Sequence, residues 1–483
     1  MDPHWDLSEI RFDLMRSIIE KLDVFYKESQ NKEINKFINE LNDPEITVKE
    51  KNWLIEEYIR KFERDKLVKY VNNELCPKCN SMCSSLIYCT SCIRNKFKEN
   101  FGKWSSGNEV IDKFIQECQM KTLFPNKIFE WVPFENLRDI KFLAEGGFGK
   151  IHTVEWINGQ ISNWDHITQQ FQRYGTHKYI LKSLKNSNLP SEEFFREAGT
   201  HYDLYARLKG LVWCFGITKH NITGEFMLIL FYHNSKDLGS KLSDDPEALT
   251  WKNKLSILRR TSETLSQIHE KGFAHKDLHP GNILLHDNLN DCYVGDFGFT
   301  GPAEENSTDK IVGVIPYMAP EVLKYGLYSD KSDIYALGMI MWELITGFRP
   351  FGNVAYDLAL IIRILEGERP PIIPGVPEEY TQLIIKCWDS DPSKRPTAIE
   401  IKNYCNFLLS GMYRGVLNLD ELFIKLNYTQ DKHPSNFYTS KAHHYQDLPE
   451  PKKSKITVLT TKGYDSQQLG VSSILDEDID IDE

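Results

Sequence analysis

The chain has 483 residues, 41% of them hydrophobic and 26% charged, with a formal net charge of −11. It is long enough for one large core and a smaller module, and its charge gives no general attraction to nucleic acid or anionic membranes. No run is apolar enough to span a bilayer, and residues 1–6 lack a basic-then-apolar leader. We therefore expect a cytoplasmic protein, with nuclear exchange open.

The first 75 residues form the first predicted unit, which is helical. Leu54, Tyr58 and Phe62 recur every four residues, which places them on one face of a helix. Such apolar stripes pack internally more often than they bind a partner, so a docking partner for this region is the alternative interpretation.

Two C-x-x-C pairs follow, Cys76 with Cys79 and Cys89 with Cys92, with nine residues between the pairs. Four thiolates at this spacing suit a tetrahedral structural zinc ion, so residues 76–92 are a candidate zinc knuckle. Cys83 lies between the pairs and either replaces one ligand or remains a spare thiol. The alternatives are reduced free cysteines and, less favoured in a reducing compartment, a disulfide.

Residues 93–136 are predicted to link this module to a larger domain. They contain a turn, a helix and three aromatic residues, Phe129, Trp131 and Phe134. We expect these rings to pack on the domain that follows, rather than to lie in an independent linker.

A glycine-rich segment spans residues 144–151, where the chain contains Gly146 and Gly149 between Ala144 and Ile151. Glycines at these positions allow the backbone to close over phosphate groups without side-chain obstruction. Ala144 stands where the first glycine of this pattern is expected. A hairpin loop without a ligand is the alternative interpretation.

Lys182 ends an apolar, strand-like run, and Glu197 follows 15 residues later in a segment with an apolar helical face. A lysine so placed can reach the α- and β-phosphates of a nucleotide, and a glutamate can hold the ammonium group in position. The two side chains must then meet in space.

Residues 275–282 contain the most specific pattern, with Asp277 and Asn282 five residues apart, and Asp296-Phe297-Gly298 follows. Asp277 can orient an attacking hydroxyl or accept its proton, whereas Asn282 and Asp296 can hold Mg²⁺. The ordered series of Lys182, Glu197 and these three residues is what phosphoryl transfer requires, since that reaction depends on positioning and charge stabilisation.

After helix-like sequence to about residue 426, the chain becomes polar and loses its apolar periodicity. Six of the last eight residues are acidic. We expect residues 427–483 to be a disordered, solvated tail.

With these motifs in place, residues 137–409 resemble a protein kinase domain of the tyrosine-kinase-like group, and residues 410–426 a helical extension of it. Residues 275–279, 313–321 and 386–389 further resemble serine/threonine kinases expanded in some soil and symbiotic fungi. The resemblance implies an α+β, two-lobed fold with a β-rich N-lobe and an α-helical C-lobe, here joined to the N-terminal helical, zinc-binding module.

The same resemblance implies further nucleotide contacts. Leu230 would be the gatekeeper, the hinge would comprise Phe231, Tyr232 and His233, and Ile180 would pack on the adenine. It also implies a structural pair between Glu321 and Arg395, and a role for Asp333 in organising the catalytic-loop backbone.

Besides Ala144, four residues depart from the usual kinase pattern. His279 replaces a lysine near the γ-phosphate, and an ordinary imidazole is mostly neutral at cellular pH. Val314 lacks a hydroxyl often linked to the catalytic aspartate, Ile180 adds apolar bulk, and Lys276 lacks the forked geometry of arginine. Ser307 and Thr308 are candidate regulatory phosphorylation sites, or part of an unmodified polar loop.

The sequence therefore predicts an enzyme: an ATP- and Mg²⁺-dependent protein kinase acting on serine or threonine residues of protein substrates in intracellular signalling. The alternative is a pseudokinase or scaffold that binds nucleotide and recruits partners. The resemblance favours serine/threonine over tyrosine specificity, because residues 279–281 lack the arrangement typical of tyrosine kinases, and dual specificity is the alternative.

Overall fold

In the computed structural model, the described residues are 75–76, 78–81, 89–122, 124–145, 149–165, 168–184, 192–205, 210–232, 236–245, 249–286, 289, 291–302, 311–413, 438, 440–443, 445 and 447–458. Several predictions lie outside them. These concern the helical region 1–74, most of the helical extension 410–426, and Cys83, Gly146, His233, Ser307 and Thr308.

In the described residues before the main sheet, the chain forms two helices, α1 (Thr90–Asn100) and α2 (Glu109–Lys121). Asn108 caps the N-terminus of α2, and its side chain accepts hydrogen bonds from the backbone N–H groups of Val110 and Ile111. This capping satisfies donors that have no partner inside the helix. The buried face of α2 carries Ile111, Ile115 and Cys118.

The N-lobe is built on a six-stranded sheet in the order β1-β7-β8-β6-β3-β2. A separate antiparallel hairpin, β4 with β5, is inserted between β3 and β6. The strand bounds are β1 Glu130–Trp131, β2 Leu137–Glu145, β3 Gly149–Trp156, β4 Ile161–Asp165, β5 Gln170–Arg173, β6 His177–Leu184, β7 Cys214–Lys219 and β8 Phe226–Phe231.

Strand β1 comes from the segment preceding the predicted kinase domain and pairs in parallel with β7, Glu130 opposite Gly216. A Cβ atom at Gly216 would lie 2.0 Å from the backbone oxygen of Glu130. Only glycine permits this approach. Residues 93–136 thus contribute a strand to the N-lobe sheet.

Helix α3 (Glu192–Tyr205) packs between the sheet and α2. Tyr202 on α3 donates a hydrogen bond of 2.6 Å from its hydroxyl to the backbone oxygen of Cys118 on α2. Phe194 and Ala198 on α3 share one buried cluster with Phe129. The N-terminal extension therefore braces the helix that carries Glu197.

The C-lobe is helical, and its core surrounds helix α7 (Asp330–Thr346), which is buried along nearly its whole length. No helix among the described residues is long and apolar enough to cross a membrane. The helix bounds are α4 Leu238–Asp244, α5 Trp251–His269, α6 Pro320–Tyr325, α7 Asp330–Thr346, α8 Leu358–Leu365, α9 Glu378–Cys387 and α10 Ala398–Tyr413.

Short strand pairs connect these helices. The strands are β9 Phe273–Ala274, β10 Ile283–Leu285, β11 Cys292–Val294, β12 Gly301–Pro302, β13 Ile311–Gly313 and β14 Lys441–His443. They pair as β9 with β12, β10 with β11 and β13 with β14.

Strand β14 corrects the expectation of disorder for the part of the tail that the structure describes, residues 438, 440–443, 445 and 447–458. It pairs antiparallel with β13, and the described residues that follow run along the C-lobe. The backbone N–H of Lys452 donates to Leu365, and that of Ile372 donates to Thr457, each over 2.7 Å. These described tail residues use hydrogen-bonding groups that the C-lobe presents.

Candidate active site

Lys182 lies at the centre of the candidate site. Its Nζ is 2.7 Å from Oε1 of Glu197 on α3 and 2.7 Å from Oδ1 of Asp296. Burial lowers the pKa of Lys182, but the two carboxylates outweigh burial and hold the pKa above its ordinary value. The predicted contact between Lys182 and Glu197 is therefore present, and it fixes α3 against the sheet.

Asp296 faces this lysine across the cleft between the lobes. Burial raises the pKa of Asp296, yet the adjacent ammonium of Lys182 outweighs it and lowers the pKa to about 2. The backbone of Asp296 has a positive φ of 62°. Phe297 is buried, with its ring centroid 4.9 Å from that of His201 and 5.4 Å from that of His275. This packing fixes the segment that presents the Asp296 carboxylate.

The loop carrying Asp277 is held by buried Asp333 near the start of α7. Its carboxylate accepts from the backbone N–H groups of His275 at 2.7 Å and Lys276 at 3.0 Å. Lys276 has a φ of 69°, an uncommon conformation that these bonds hold in place. The predicted organising role of Asp333 is confirmed. Asn282 donates from Nδ2 to the backbone oxygen of Asp277 at 2.8 Å, which brings these two residues together.

Asp277 is itself buried, and burial raises its pKa to about 7 while a hydrogen bond from Ser440 acts in the opposite direction. The Ser440 hydroxyl donates to Oδ2 of Asp277 over 2.6 Å. Ser440 belongs to the C-terminal tail, 163 residues away in sequence, and is not among the site residues predicted from the sequence. A serine in a polar tail carries no local signal for such a contact.

His279 is also buried, and burial lowers its pKa to about 4. It is thus neutral at cellular pH, as the sequence predicts, and supplies no positive charge. Its Nδ1 accepts from the backbone N–H of Gly281 over 3.1 Å, while its ring stacks on Tyr438 with centroids 5.9 Å apart.

The predicted nucleotide-contacting residues in the described part of the N-lobe lie on four neighbouring strands, β2, β3, β6 and β8. Register brings them together: Ala144 pairs with Ile151, Ile151 with Lys182, and Ile180 with Leu230. Gly149 is the first residue of β3, and Phe231 is the last of β8. One sheet thus carries these side chains and the lysine.

The Glu321 and Arg395 pair is present and bidentate, with N–O distances of 2.6 and 2.7 Å. The Arg395 side chain is 0% exposed, and it also donates to the backbone oxygens of Asp389 at 2.8 Å and Lys331 at 2.9 Å. The pair joins α6, which contains Glu321, to the segment before α10, and the prediction of this contact is confirmed.

The four predicted zinc ligands form a cluster in which the ligand atoms lie within 4.8 Å of one another. The Sγ atoms of Cys76 and Cys92 are 3.7 Å apart, and those of Cys79 and Cys89 are 3.5 Å apart. Ligands at the usual Zn–S distance around a tetrahedral ion are about 3.8 Å apart, whereas bonded sulfurs lie about 2 Å apart. The donor set and its spacing fit zinc. The cluster packs against Trp164 of the inserted hairpin.

The lysine, two aspartates and asparagine, set between a β-rich lobe and a helical lobe, define a protein kinase domain. A family model described as protein tyrosine and serine/threonine kinase matches residues 137–405, and the chain belongs to this family.

Related proteins are similar over this region. A putative serine/threonine-protein kinase/receptor from Acanthamoeba polyphaga mimivirus is 33% identical over 176 residues, 36% of this chain and 11% of the relative. The probable serine/threonine-protein kinase roco5 of Dictyostelium discoideum is 28% identical over 328 residues, 64% of this chain and 11% of the relative. The chain therefore spans about a ninth of the length of these relatives. Membership of the tyrosine-kinase-like group and the resemblance to fungal kinases stay predictions.

Proposed function

We propose that this protein transfers the γ-phosphate of ATP to serine or threonine hydroxyls of protein substrates. One observation carries the proposal: a buried carboxylate, Asp277, accepts a hydrogen bond of 2.6 Å from a serine hydroxyl. A general base must lie about 2.6–3.2 Å from the oxygen whose proton it takes. The relatives named above support the serine/threonine class, since their printed names state it.

The other residues take roles that follow from their contacts. Lys182, held by Glu197, would bind the α- and β-phosphates. Asn282 and Asp296 offer oxygen ligands of the kind that Mg²⁺ prefers, and these two residues would hold the ion. The ion would supply positive charge to the phosphate oxygens.

The transfer then needs one proton acceptor. A bond forms between the substrate hydroxyl oxygen and the γ-phosphorus, the bond from that phosphorus to the β-γ bridging oxygen breaks, and ADP leaves with the electron pair. Asp277 orients the hydroxyl and takes its proton.

The test is Mg²⁺-dependent transfer of labelled phosphate from ATP to a generic serine/threonine peptide. Lys182→Met and Asp277→Asn should each lower the rate about 100-fold or more, since each removes charge positioning or the base. Lys178→Met is the matched control, because Lys178 lies on the same strand but is exposed. A protein that binds ATP yet labels no substrate above these variants would be a pseudokinase or scaffold, and the proposal would fail.

We further propose that Cys76, Cys79, Cys89 and Cys92 hold a structural zinc ion. The sulfur spacing and the packing of the cluster on the β4–β5 hairpin support this. Metal analysis should find about one zinc per chain, and Cys92→Ser should lose it while Cys405→Ser, far from the cluster in sequence, retains it. Equal metal content in the two variants would contradict the assignment. The cytoplasmic location, nuclear exchange and an N-terminal docking partner stay predictions.

A further inference from the structure

The tail enters the candidate active site as an extended strand. Lys441, Ala442 and His443 pair with Gly313, Val312 and Ile311 of β13, and His443 Nε2 lies 3.0 Å from the backbone oxygen of Gly313. Strand addition to an exposed edge is a common way for a protein to bind a peptide, because the main chain supplies the hydrogen bonds. The tail residues thus lie as a peptide ligand would, next to Asp277.

Tyr438 anchors the tail on the other side of Ser440. Its ring stacks parallel to that of His279, and the guanidinium of Arg349 lies 4.2 Å from its centroid. Its hydroxyl donates to the buried carboxylate of Glu343. An aromatic ring that is stacked, placed beside a cation and hydrogen-bonded defines a specific binding pocket.

Three glycines leave room for the tail. A Cβ at Gly239 would lie 2.3 Å from the Tyr438 ring, and one at Gly281 would lie 3.1 Å from its Cβ. At Gly367, which has a φ of +90°, a Cβ would lie 2.2 Å from the backbone oxygen of Lys453. A larger residue at Gly239 or Gly367 would overlap the tail and push it away, whereas the Cβ at Gly281 would be in tight contact with it. The kinase domain is therefore complementary in shape to its own tail at separate points.

Ser440 is the tail hydroxyl that reaches the base. Its Oγ lies 2.6 Å from Oδ2 of Asp277 and 3.4 Å from Nε2 of His279, and the residue is buried. Since β13 fixes the residues after it and the Tyr438 pocket fixes the residue two before it, this position is set from both sides.

We propose that Ser440 is an intramolecular phosphorylation site, presented to the active site by the chain's own tail in the groove that binds peptide substrates. This inference rests on the proposed kinase function. The Ser440 Oγ forms a bond to the γ-phosphorus of ATP, the bond to the β-γ bridging oxygen breaks, Asp277 takes the hydroxyl proton, and ADP leaves.

Two consequences follow from this geometry. While docked, the tail excludes other peptide substrates, because it occupies both the β13 edge and the base. Once phosphorylated, Ser440 carries close to two negative charges beside Asp277, and like-charge repulsion in a buried setting expels it. Phosphorylation thus opens the groove to other substrates.

The first experiment follows phosphate incorporation into the full chain with Mg²⁺ and labelled ATP at several protein concentrations. Mass spectrometry must assign the site within residues 433–441, since that tryptic peptide also contains Ser435, Tyr438 and Thr439. We expect phosphate at Ser440 with a rate constant independent of protein concentration, because the tail is tethered to its own active site. A rate proportional to concentration would show transfer between molecules and overturn the proposal.

The second experiment uses variants and an added serine/threonine peptide. Gly239→Ala should displace Tyr438, so Ser440 labelling should fall about tenfold while peptide phosphorylation rises by a similar factor. Thr457→Ala is the matched control, because the Thr457 side chain is exposed and only its backbone oxygen is used. It should behave like the wild type in both assays. If Ser440 labelling and peptide phosphorylation both stay unchanged in Gly239→Ala, or change in the same direction, the tail does not occupy the peptide groove.

Ser440→Ala separates a substrate from a purely structural hydroxyl. If Ser440 is an acceptor, the variant loses label in residues 433–441 and still phosphorylates the peptide once Gly239→Ala is added. If the Ser440 hydroxyl only supports Asp277, peptide phosphorylation also falls when Ser440→Ala is combined with Gly239→Ala, and the proposal is wrong. If the added peptide is phosphorylated while Ser440 stays unmodified, the Ser440 proposal is wrong and the proposed kinase function still holds. No label on peptide or tail in any variant refutes the proposed kinase function.

Discussion

The buried pair between Glu321 and Arg395 allows the sharpest test of what holds the helical lobe together. We consider Arg395→Met, which keeps the apolar stem and removes the guanidinium. The change leaves the Glu321 carboxylate buried without its bidentate partner, and two backbone oxygens, those of Asp389 and Lys331, lose a donor.

The expected cost follows from these contacts. Removing one partner of a buried ion pair costs about 3–5 kcal/mol, because the remaining charge keeps its desolvation penalty. The two backbone oxygens that lose their hydrogen-bond donor add about 1 kcal/mol or more to the loss in free energy of unfolding, unless water reaches them. Glu321→Gln keeps one acceptor for the arginine, so its cost should be nearer 2 kcal/mol. The double variant should cost less than the sum, because no charge is left alone.

Urea unfolding followed by tryptophan fluorescence measures these free energies, with Arg363→Met as control. Arg363 also pairs with a glutamate, Glu368, but both side chains are about 40% exposed, at 41% and 39%. An exposed pair is worth about 0–1 kcal/mol. The reasoning would be refuted if Arg395→Met destabilised the protein no more than Arg363→Met. It would also be refuted if the free-energy losses of Arg395→Met and Glu321→Gln simply added in the double variant.

Three other predictions follow from the structure. Burial raises the pKa of Glu343 to about 7 from an ordinary 4.5, so the folded state binds this proton more tightly than the unfolded state, and stability falls as pH rises between these values. The loss reaches about 3 kcal/mol above pH 7, so the melting temperature of Glu343→Gln relative to wild type should rise from pH 5 to pH 8; a constant difference would contradict this. Gly216→Ala should cost about 2 kcal/mol or more in urea unfolding, because its Cβ would overlap the Glu130 carbonyl, whereas Gly102→Ala, with no atom within 4 Å of its Cβ, should cost less than 1 kcal/mol. Chelation of zinc should lower the melting temperature of the wild type and leave that of Cys92→Ser unchanged, and equal shifts would argue against a structural ion.

The candidate active-site residues could be predicted to lie together because each is in a local frame of a few residues, which phosphoryl transfer would constrain. Asp277 and Asn282 are five residues apart, and the loop between them has little freedom once both must face one site. The same holds for the cysteines, where two short spacings bring four sulfurs together. Chemistry that depends on near neighbours leaves a pattern that a sequence reveals.

Contacts across long separations leave no such pattern. Strand β1 has only two residues, and its pairing with β7 depends on a glycine 86 positions later, Gly216 opposite Glu130. Neither two strand residues nor one glycine is informative alone. The hydrogen bond from Ser440 to Asp277 is the extreme case, because neither the serine nor its polar surroundings differ from ordinary tail sequence.

The composition of the tail nevertheless explains why it lies where it does. A segment that enters a peptide groove must be extended and must leave its backbone groups available to another strand, so it cannot have a helical or sheet structure of its own. Low apolar content and the absence of periodicity, which predict a disordered tail, are the properties that a tethered substrate requires. The surface that binds the tail cannot be predicted from the tail sequence, because it forms only when the fold brings β13, Gly239 and His279 together. Composition therefore predicts the properties of the tail as a separate segment. The structure places its described residues 438 and 440–443 against the kinase domain.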